Sequence, residues 1–378
     1  MPATAANPGL YIETLPARQQ PDTLRTDVAG FIGPTARGPL DRAERIEGWN
    51  HFQAVYGPVT VNADTSLALR GYFRNGGRIA RMVRVCGPSP GTATVVWELA
   101  APDPHSGVWT PFVPGAGNFA HQRYTISASS PGSWGNALRV TFRYVWRGPL
   151  RQPSVDAEVH AVGEPGEYLS GLDPAALAEQ VTERSRLIRM QLAPGLALPA
   201  PVAPGPLAYE WPTLTLVGGS EQPPAETNYV NAYSLLADEP EPALICAPDL
   251  PRLNRSGRES VLAIMIADAE ARHDRQVLAA LPDATIAASA ASLESAAMRQ
   301  LFDAQWARSV AVYHPWIHVD DPLGDLTHPL REISPVGHVA GLISRLDRER
   351  GAHHSPANAL LFDSVDTSIP LDAAQQGL

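Results

Sequence analysis

"ALICAPDLPRLNRSGRESVLAIMIADAEARHDRQVLAAL", Ala243 to Leu281, decides the fold. Its first run, ALICAPD, is apolar and of strand length; a helix follows whose start carries a capping box, Ser256 with Glu259 three residues on; the strand RQVLAAL comes next. The order strand, helix, strand implies parallel strands joined by right-handed crossovers. The same alternation continues downstream with a helix from about Ser292 to Trp306, the strand SVAVYHPWI, and a helix opened by Ser334 and Pro335 and closed by Gly351. It also appears upstream. VAGFIG reads as a strand, GWNHFQAVYG as a short amphipathic helix, TSLALRGYFRNGG as a helix closed by Gly76 and Gly77, and RIARMVRV as another strand.

Between these two α/β stretches the pattern changes. TATVVWEL, RYTISASS, ALRVTFRYVW and VDAEVHAV are strand-like runs separated by Pro and Gly turns, followed by one helix that Asp173 caps and Pro174 opens. The Pro-rich run LAPGLALPAPVAPGPL after them lacks the amide donors a helix needs and reads as a stiff linker. At the start, PGLYIETLPARQQP is extended, with Leu10 and Ile12 on one face and Tyr11 and Glu13 on the other, and reads as a strand outside any compact unit. The expected organisation is therefore an α/β multidomain chain. It comprises an extended N-terminal arm over 1–22, a first core part over 23–90, an inserted β-rich domain with its linker over 91–204, and a second core part over 205–378. Asp372 resembles a helix cap, yet DAAQQGL supplies barely one turn.

Composition narrows the function classes. At 378 residues, 44% hydrophobic and 18% charged, the chain can bury more than one core, and no run approaches the roughly 20 apolar residues of a membrane helix. MPATAANPG lacks the basic and apolar regions of a secretory leader, so synthesis is expected to end in the cytosol. Cys86 and Cys246 lie in apolar runs, where a free thiol behaves as a small hydrophobe. All 29 basic residues are arginine, which removes the lysine that P-loop and Schiff-base chemistry require. A net charge of −10 argues against nucleic acid and for a protein partner.

The motifs that could carry catalysis fail on context. GPSPG at Gly87–Gly91 fits a nucleophile elbow, but Pro90 and the β-branched run after it forbid the helix that must follow. GAGNFA at Gly115–Ala120 resembles a dinucleotide fingerprint but runs into a strand. His314 and His318 share a face in a strand-like YHPWIHV, with Asp320 and Asp321 close by; the chemistry this offers is a metal-dependent hydrolase, without any standard metal-ligand spacing. His338 falls in the first turn of a helix, and His353 and His354 follow its closing Gly351, so packing and loop roles are expected. No catalytic, cofactor-binding or metal-ligating residue is assigned. Arg345, Asp347, Arg348, Glu349 and Arg350 alternate in sign, as at a solvated helix face or a protein interface that pairs arginine with carboxylates.

Eight stretches, in order, resemble the tail sheath proteins of contractile bacteriophages and related contractile injection systems. They are PGLYIE; VAGFIGPTARGP; YFRNGGRIARMVRV; PGSWGNALRVTF; LVGGS; LICAPD; YHPWIHV; and SPVGHVAGLISRLDRERGAHHSPAN. The resemblance implies a parallel-rich α/β sheath core with an outward β-rich insertion. Its implied role is a structural, non-enzymatic subunit that polymerises helically around an inner tail tube and contracts without consuming a nucleotide. The implied partners are copies of itself, the tube protein, and baseplate and tail terminator proteins, with no cofactor, no nucleic acid and no membrane insertion. Assembly in the cytoplasm and then residence in a phage tail or injection particle follow. The arm Leu10, Tyr11, Ile12, Glu13 is implied to add a strand to a neighbour. Sheath proteins continue past the position of Leu378 into a further domain; lacking it, the chain is expected to be a truncated product or a specialised cap or adaptor.

Overall fold

The computed structural model describes residues 27–100, 121–148, 152–193, 208–281 and 308–370. The arm residues Leu10 to Glu13, GAGNFA, residues 194–207 of the Pro-rich run, the helix expected at 292–306 and Asp372 lie outside them.

The first core stretch runs β1 (Val28–Gly33), β2 (Glu44–Ile46), α1 (Trp49–Tyr56), α2 (Thr65–Arg74) and β3 (Ile79–Arg84). Every residue of β1 is buried, as a strand covered on both faces requires. It pairs in parallel with β3, while β2 caps that edge antiparallel.

The insertion supplies β4 (Thr94–Ala100), β5 (His121–Ala128), β6 (Arg139–Arg147), β7 (Gln152–His160), β8 (Glu167–Leu172), α3 (Leu177–Arg184), β9 (Ile188–Leu192), β10 (Ala208–Glu210) and β11 (Leu214–Thr215). One antiparallel sheet has the order β10-β6-β7-β8 with β11 also on β6, and a second the order β4-β5-β9. Both close on one core, where Trp97 stacks on Phe142 at 4.4 Å and meets Trp211 edge-on at 5.1 Å. The second core part was expected from residue 205, yet β10 and β11 belong to the insertion's sheet, because Trp211 and Leu216 fill its core. The chain enters and leaves the insertion side by side, with Gly91 bridged to Ser220 and Thr94 to Val217.

The second core stretch runs α4 (Glu226–Ala237), β12 (Leu244–Cys246), α5 (Arg255–Arg272), β13 (Gln276–Ala280), β14 (Val310–Tyr313), β15 (Ile317–Asp320), β16 (Leu330–Ile333), α6 (Val336–Arg350) and β17 (Asp366–Thr367). The central sheet has the order β14-β13-β12-β1-β3-β2, with parallel pairing from β14 through β3. Side-chain alternation sorts its two faces. Ala29, Phe31, Met82 and Cys246 pack toward α1, α2 and α6, and Ile32, Val83, Ile245 and Val277 toward α4 and α5. The result is an α/β/α layering with a β-rich insertion. No helix among the described residues is long and apolar enough to cross a membrane.

Two local expectations are corrected. Helix α5 is capped by Asn254, whose side chain accepts from the Gly257 amide at 2.8 Å, while Ser256 is exposed inside the first turn and Glu259 pairs with Arg255. YHPWIHV is not one strand. β14 ends at Tyr313 in the central sheet, the His314–Pro315 peptide is cis, and β15 starts a three-stranded sheet β16-β15-β17. A proline without a ladder donor marks the break.

Candidate subunit-contact site

Helices α2 and α6 approach backbone to backbone. A Cβ on Gly337 would lie 2.3 Å from the Ala68 carbonyl oxygen, and one on Gly341 2.3 Å from that of Tyr72. Gly71 leaves the space that the His338 ring fills, since a Cβ there would come within 2.1 Å of the ring. His338 is fully buried, and burial pushes its imidazole down to about 4. Its Nε2 meets the Asp363 carbonyl oxygen at 3.3 Å, and Asp363 in turn pairs with Arg70 at 2.9 Å. These contacts fasten a strap, residues 351–370, across the two helices. Asn75 completes the attachment by exchanging hydrogen bonds with the Phe362 backbone, at 2.7 and 2.8 Å.

The alternating charges of α6 divide in role. Arg345 is half-buried, donates to the Leu360 carbonyl and lies over the Phe362 ring at 4.8 Å. Arg348 donates to the Gly76 carbonyl at 2.6 Å and the Ser344 carbonyl at 2.9 Å. Arg350 meets His354 at 3.2 Å, Glu349 points to solvent, and Asp347 is half-buried. Arg345, Arg348 and Arg350 thus contact carbonyl, ring and imidazole groups, and none pairs with a carboxylate among the described residues. With Arg74 and Arg78 exposed at the end of α2, they form a basic surface on an acidic protein. A groove of about 380 Å³ runs through it, between α6 and the strap, lined by Arg345, Glu349, Arg350, His354, Leu360 and Phe362 among others.

The place where an open α/β sheet binds ligands is occupied by the chain itself. That place is the crevice at the carboxyl ends of β1 and β12, where the strand order turns back. Asp249, three residues past β12, accepts there from the Asp64 and Thr65 amides at 2.8 Å each and from the Thr65 hydroxyl at 2.6 Å. It therefore caps α2, where an anionic ligand would otherwise bind. Burial and then the neighbouring Asp64 charge raise its carboxyl to about 6. Burial likewise raises Asp64, against the pull of Arg252, which holds one of its oxygens at 2.6 Å. Sequence reading found neither partner, because the cap arrives from a residue 184 positions away.

Core and insertion are joined by two buried arginines. Arg84, at the end of β3, donates to the Gly38 carbonyl, to the Pro131 carbonyl of the insertion at 2.9 Å and to Glu221 on the returning chain at 2.9 Å. Arg37 pairs with Glu164 of the β7–β8 loop and lies over Trp134. Neither was singled out from the sequence, which offers no local sign of such long-range pairing.

The remaining candidates are dispersed. His314 lies between two sheets, whereas His318 sits on β15 opposite Glu332 at 3.5 Å, and Asp320 is exposed at that strand's end. Among the described residues no three His, Cys, Asp or Glu side chains are grouped to hold a metal ion. Gly87–Gly91 forms a turn that ends at the bridge to Ser220. Cys86 and Cys246 are buried free thiols, and burial pushes both up, Cys86 to about 11.

No protein-family model matches the sequence, and no curated protein matches it. Solved structures do. The sheath tail protein of Listeria innocua superposes with a TM-score of 0.54 at 10% identity, over 93% of this chain and 62% of that one. The sheath tail protein of Desulfitobacterium hafniense gives 0.53 at 12% identity, over 97% of this chain and 69% of that one. At such identity the likeness speaks for architecture, and the chain spans under two thirds of the Listeria protein's length. The superposition takes in nearly the whole of this chain, core and insertion together: this chain has the fold of the sheath tail proteins.

Proposed function

We propose that the chain is a structural subunit of a contractile sheath, which polymerises helically around an inner tube and shortens to drive the tube into a target cell. The observation that carries this reading is a superposition on two sheath tail proteins that takes in 93% and 97% of the chain. The filled switch point supports a non-enzymatic role, because the crevice a cofactor or substrate would use already holds Asp249 against the N-terminus of α2. Copies of itself, the tube protein, and baseplate and terminator proteins are the partners this role requires. Leu10, Tyr11, Ile12 and Glu13 serve it as a strand-adding arm, and the charges on α6 as contacts between subunits. Such a subunit assembles in the cytoplasm and ends in a phage tail or injection particle.

Negative-stain electron microscopy of the concentrated chain tests this. Striated tubes or helical filaments of regular repeat are expected. Particles of one fixed, small stoichiometry at every concentration would overturn the sheath reading in favour of a cap or adaptor.

A further inference from the structure

The groove between α6 and the strap has a counterpart on the same molecule. The β15–β16 hairpin carries the sequence Asp320-Asp321-Pro322-Leu323-Gly324-Asp325-Leu326, in which Leu326 is 103% and Leu323 50% exposed. Asp320 is exposed, and Asp325 accepts from the Thr327 amide and hydroxyl and the His328 amide, which hold its carboxyl below the usual range. The hairpin tip is thus an apolar knob between carboxylates. The groove presents the complement: Phe362 at 48% and Leu360 at 76% exposure, with Arg345 and Arg350 in its lining and Arg348 exposed on the same helix, none of the three with a carboxylate partner among the described residues.

The two surfaces are not joined within one copy: Leu326 stands wholly in solvent, and Leu360 and Phe362 of the groove stay exposed. The strap runs from one to the other: Val365 hydrogen-bonds to His318 of β15 and Ser368 to Trp316 just before it, at the base of the hairpin, and Phe362 is held by Asn75 beside the groove. A knob and a matching hole on different patches of the same chain, both left open in one copy, add copies head to tail, the geometry of an open filament. Exposed large apolar residues flanked by charge of opposite sign on the two surfaces are the composition of a specific contact.

We propose that the β15–β16 hairpin of one copy docks in the α6–strap groove of the next, Leu326 against Phe362 and Leu360, Asp320 and Asp325 against Arg348 and Arg350. This rests on the sheath reading and names the surfaces that would join neighbouring subunits.

Sedimentation of the full chain over a range of concentrations tests the pairing with three variants. Leu326→Ser alters only an exposed side chain and is expected to weaken self-association about tenfold or more, with an unchanged unfolding midpoint. Arg348→Glu/Arg350→Glu and Asp320→Arg/Asp325→Arg should each weaken it similarly when alone. Mixed in equal amounts they should regain it, because each reversed surface then meets its opposite. Parent-like association by all three variants, or a mixture no better than its components, rejects the docking pair while leaving the sheath reading in place. A groove variant that unfolds more easily yet associates normally also rejects it, since the groove's occupant then belongs to the same chain. A wild-type chain that stays monomeric removes the sheath reading itself.

Discussion

His338 is a basic residue placed where it cannot keep its charge. Its ring fills the space left by Gly71, and the titratable or charged groups facing it are Asp363, at 4.0 Å from Nε2, and Arg70 behind that carboxylate. Burial outweighs the carboxylate, so the folded state holds the neutral imidazole down to about pH 4, while in the unfolded chain protonation begins near 6.5. A base whose folded pKa is depressed contributes stability in full above the unfolded value and loses it as pH falls toward the folded one. Here the window is pH 6.5 to 4 and the loss about 3 kcal/mol. Asp249 slopes the other way. Its raised carboxyl favours the folded state as pH falls from 6 toward 4, so the two residues offset each other in the wild type. The comparison with His338→Gln isolates the first effect, since Gln keeps an amide donor for the Asp363 carbonyl and does not titrate. The stability gap between wild type and variant, from urea midpoints, should shrink by a kcal/mol or more between pH 6.5 and 4.5. A gap constant with pH would show that His338 titrates as an exposed histidine does. The sequence placed this residue in the first turn of its helix, but the neighbour that makes it neutral, Gly71, is visible only after two helices distant in the chain are brought together.

At the scale of elements, the α2–α6 seam is the contact most sensitive to a single methyl group. Gly337→Ala gains about 1 kcal/mol of intrinsic helix propensity, but its Cβ would sit 2.3 Å from the Ala68 carbonyl oxygen and 2.7 Å from its carbon. Backbone cannot rotate away as a side chain can, so the helices must separate and the strap that spans them must shift. A net loss of about 2 kcal/mol is expected. Thermal unfolding reads it, and a stabilised variant would show that the seam yields easily. Elements with strong punctuation were legible in the sequence: α6 lies between Ser334-Pro335 and Gly351, and the buried runs of β1, β3, β12 and β13 stand as expected. What failed was choice among equal local signals. Asn254 and Ser256 are both good caps, and only the direction from which the chain enters α5 selects Asn254. The run YHPWIHV is apolar enough for one strand, yet its two halves serve different sheets. By pattern alone residues 208–215 fall in the second core part, because the α/β alternation resumes soon after; the burial of Trp211 beside Trp97 puts them in the insertion.

Across the whole molecule, buried arginines tie the insertion to the core. If the chain works as one rigid body in a lattice, force at the insertion must reach the central sheet, and Arg84 stands in that path. Its side chain is fully buried, and it binds the Gly38 carbonyl of the core, the Pro131 carbonyl of the insertion and the Glu221 carboxylate where the chain returns. Arg84→Met preserves most of the volume but leaves those acceptors, one of them charged, without their donor. Removing one member of a buried ion pair costs about 3 kcal/mol or more. The loss should be localised. Amide exchange should accelerate around residues 129–138 and 216–222, which meet at the junction, while β12 and β13 in the central sheet keep their protection. Uniform acceleration would mean that Arg84 supports the core itself, and unchanged exchange would shift the coupling to Arg37 and Glu164. The α/β alternation interrupted by a β-rich segment was readable from one end of the chain to the other, but the pairing of Arg84 with a residue 137 positions later was not. Local pattern reports which face of an element is buried, and the joint between two domains is settled by which faces meet.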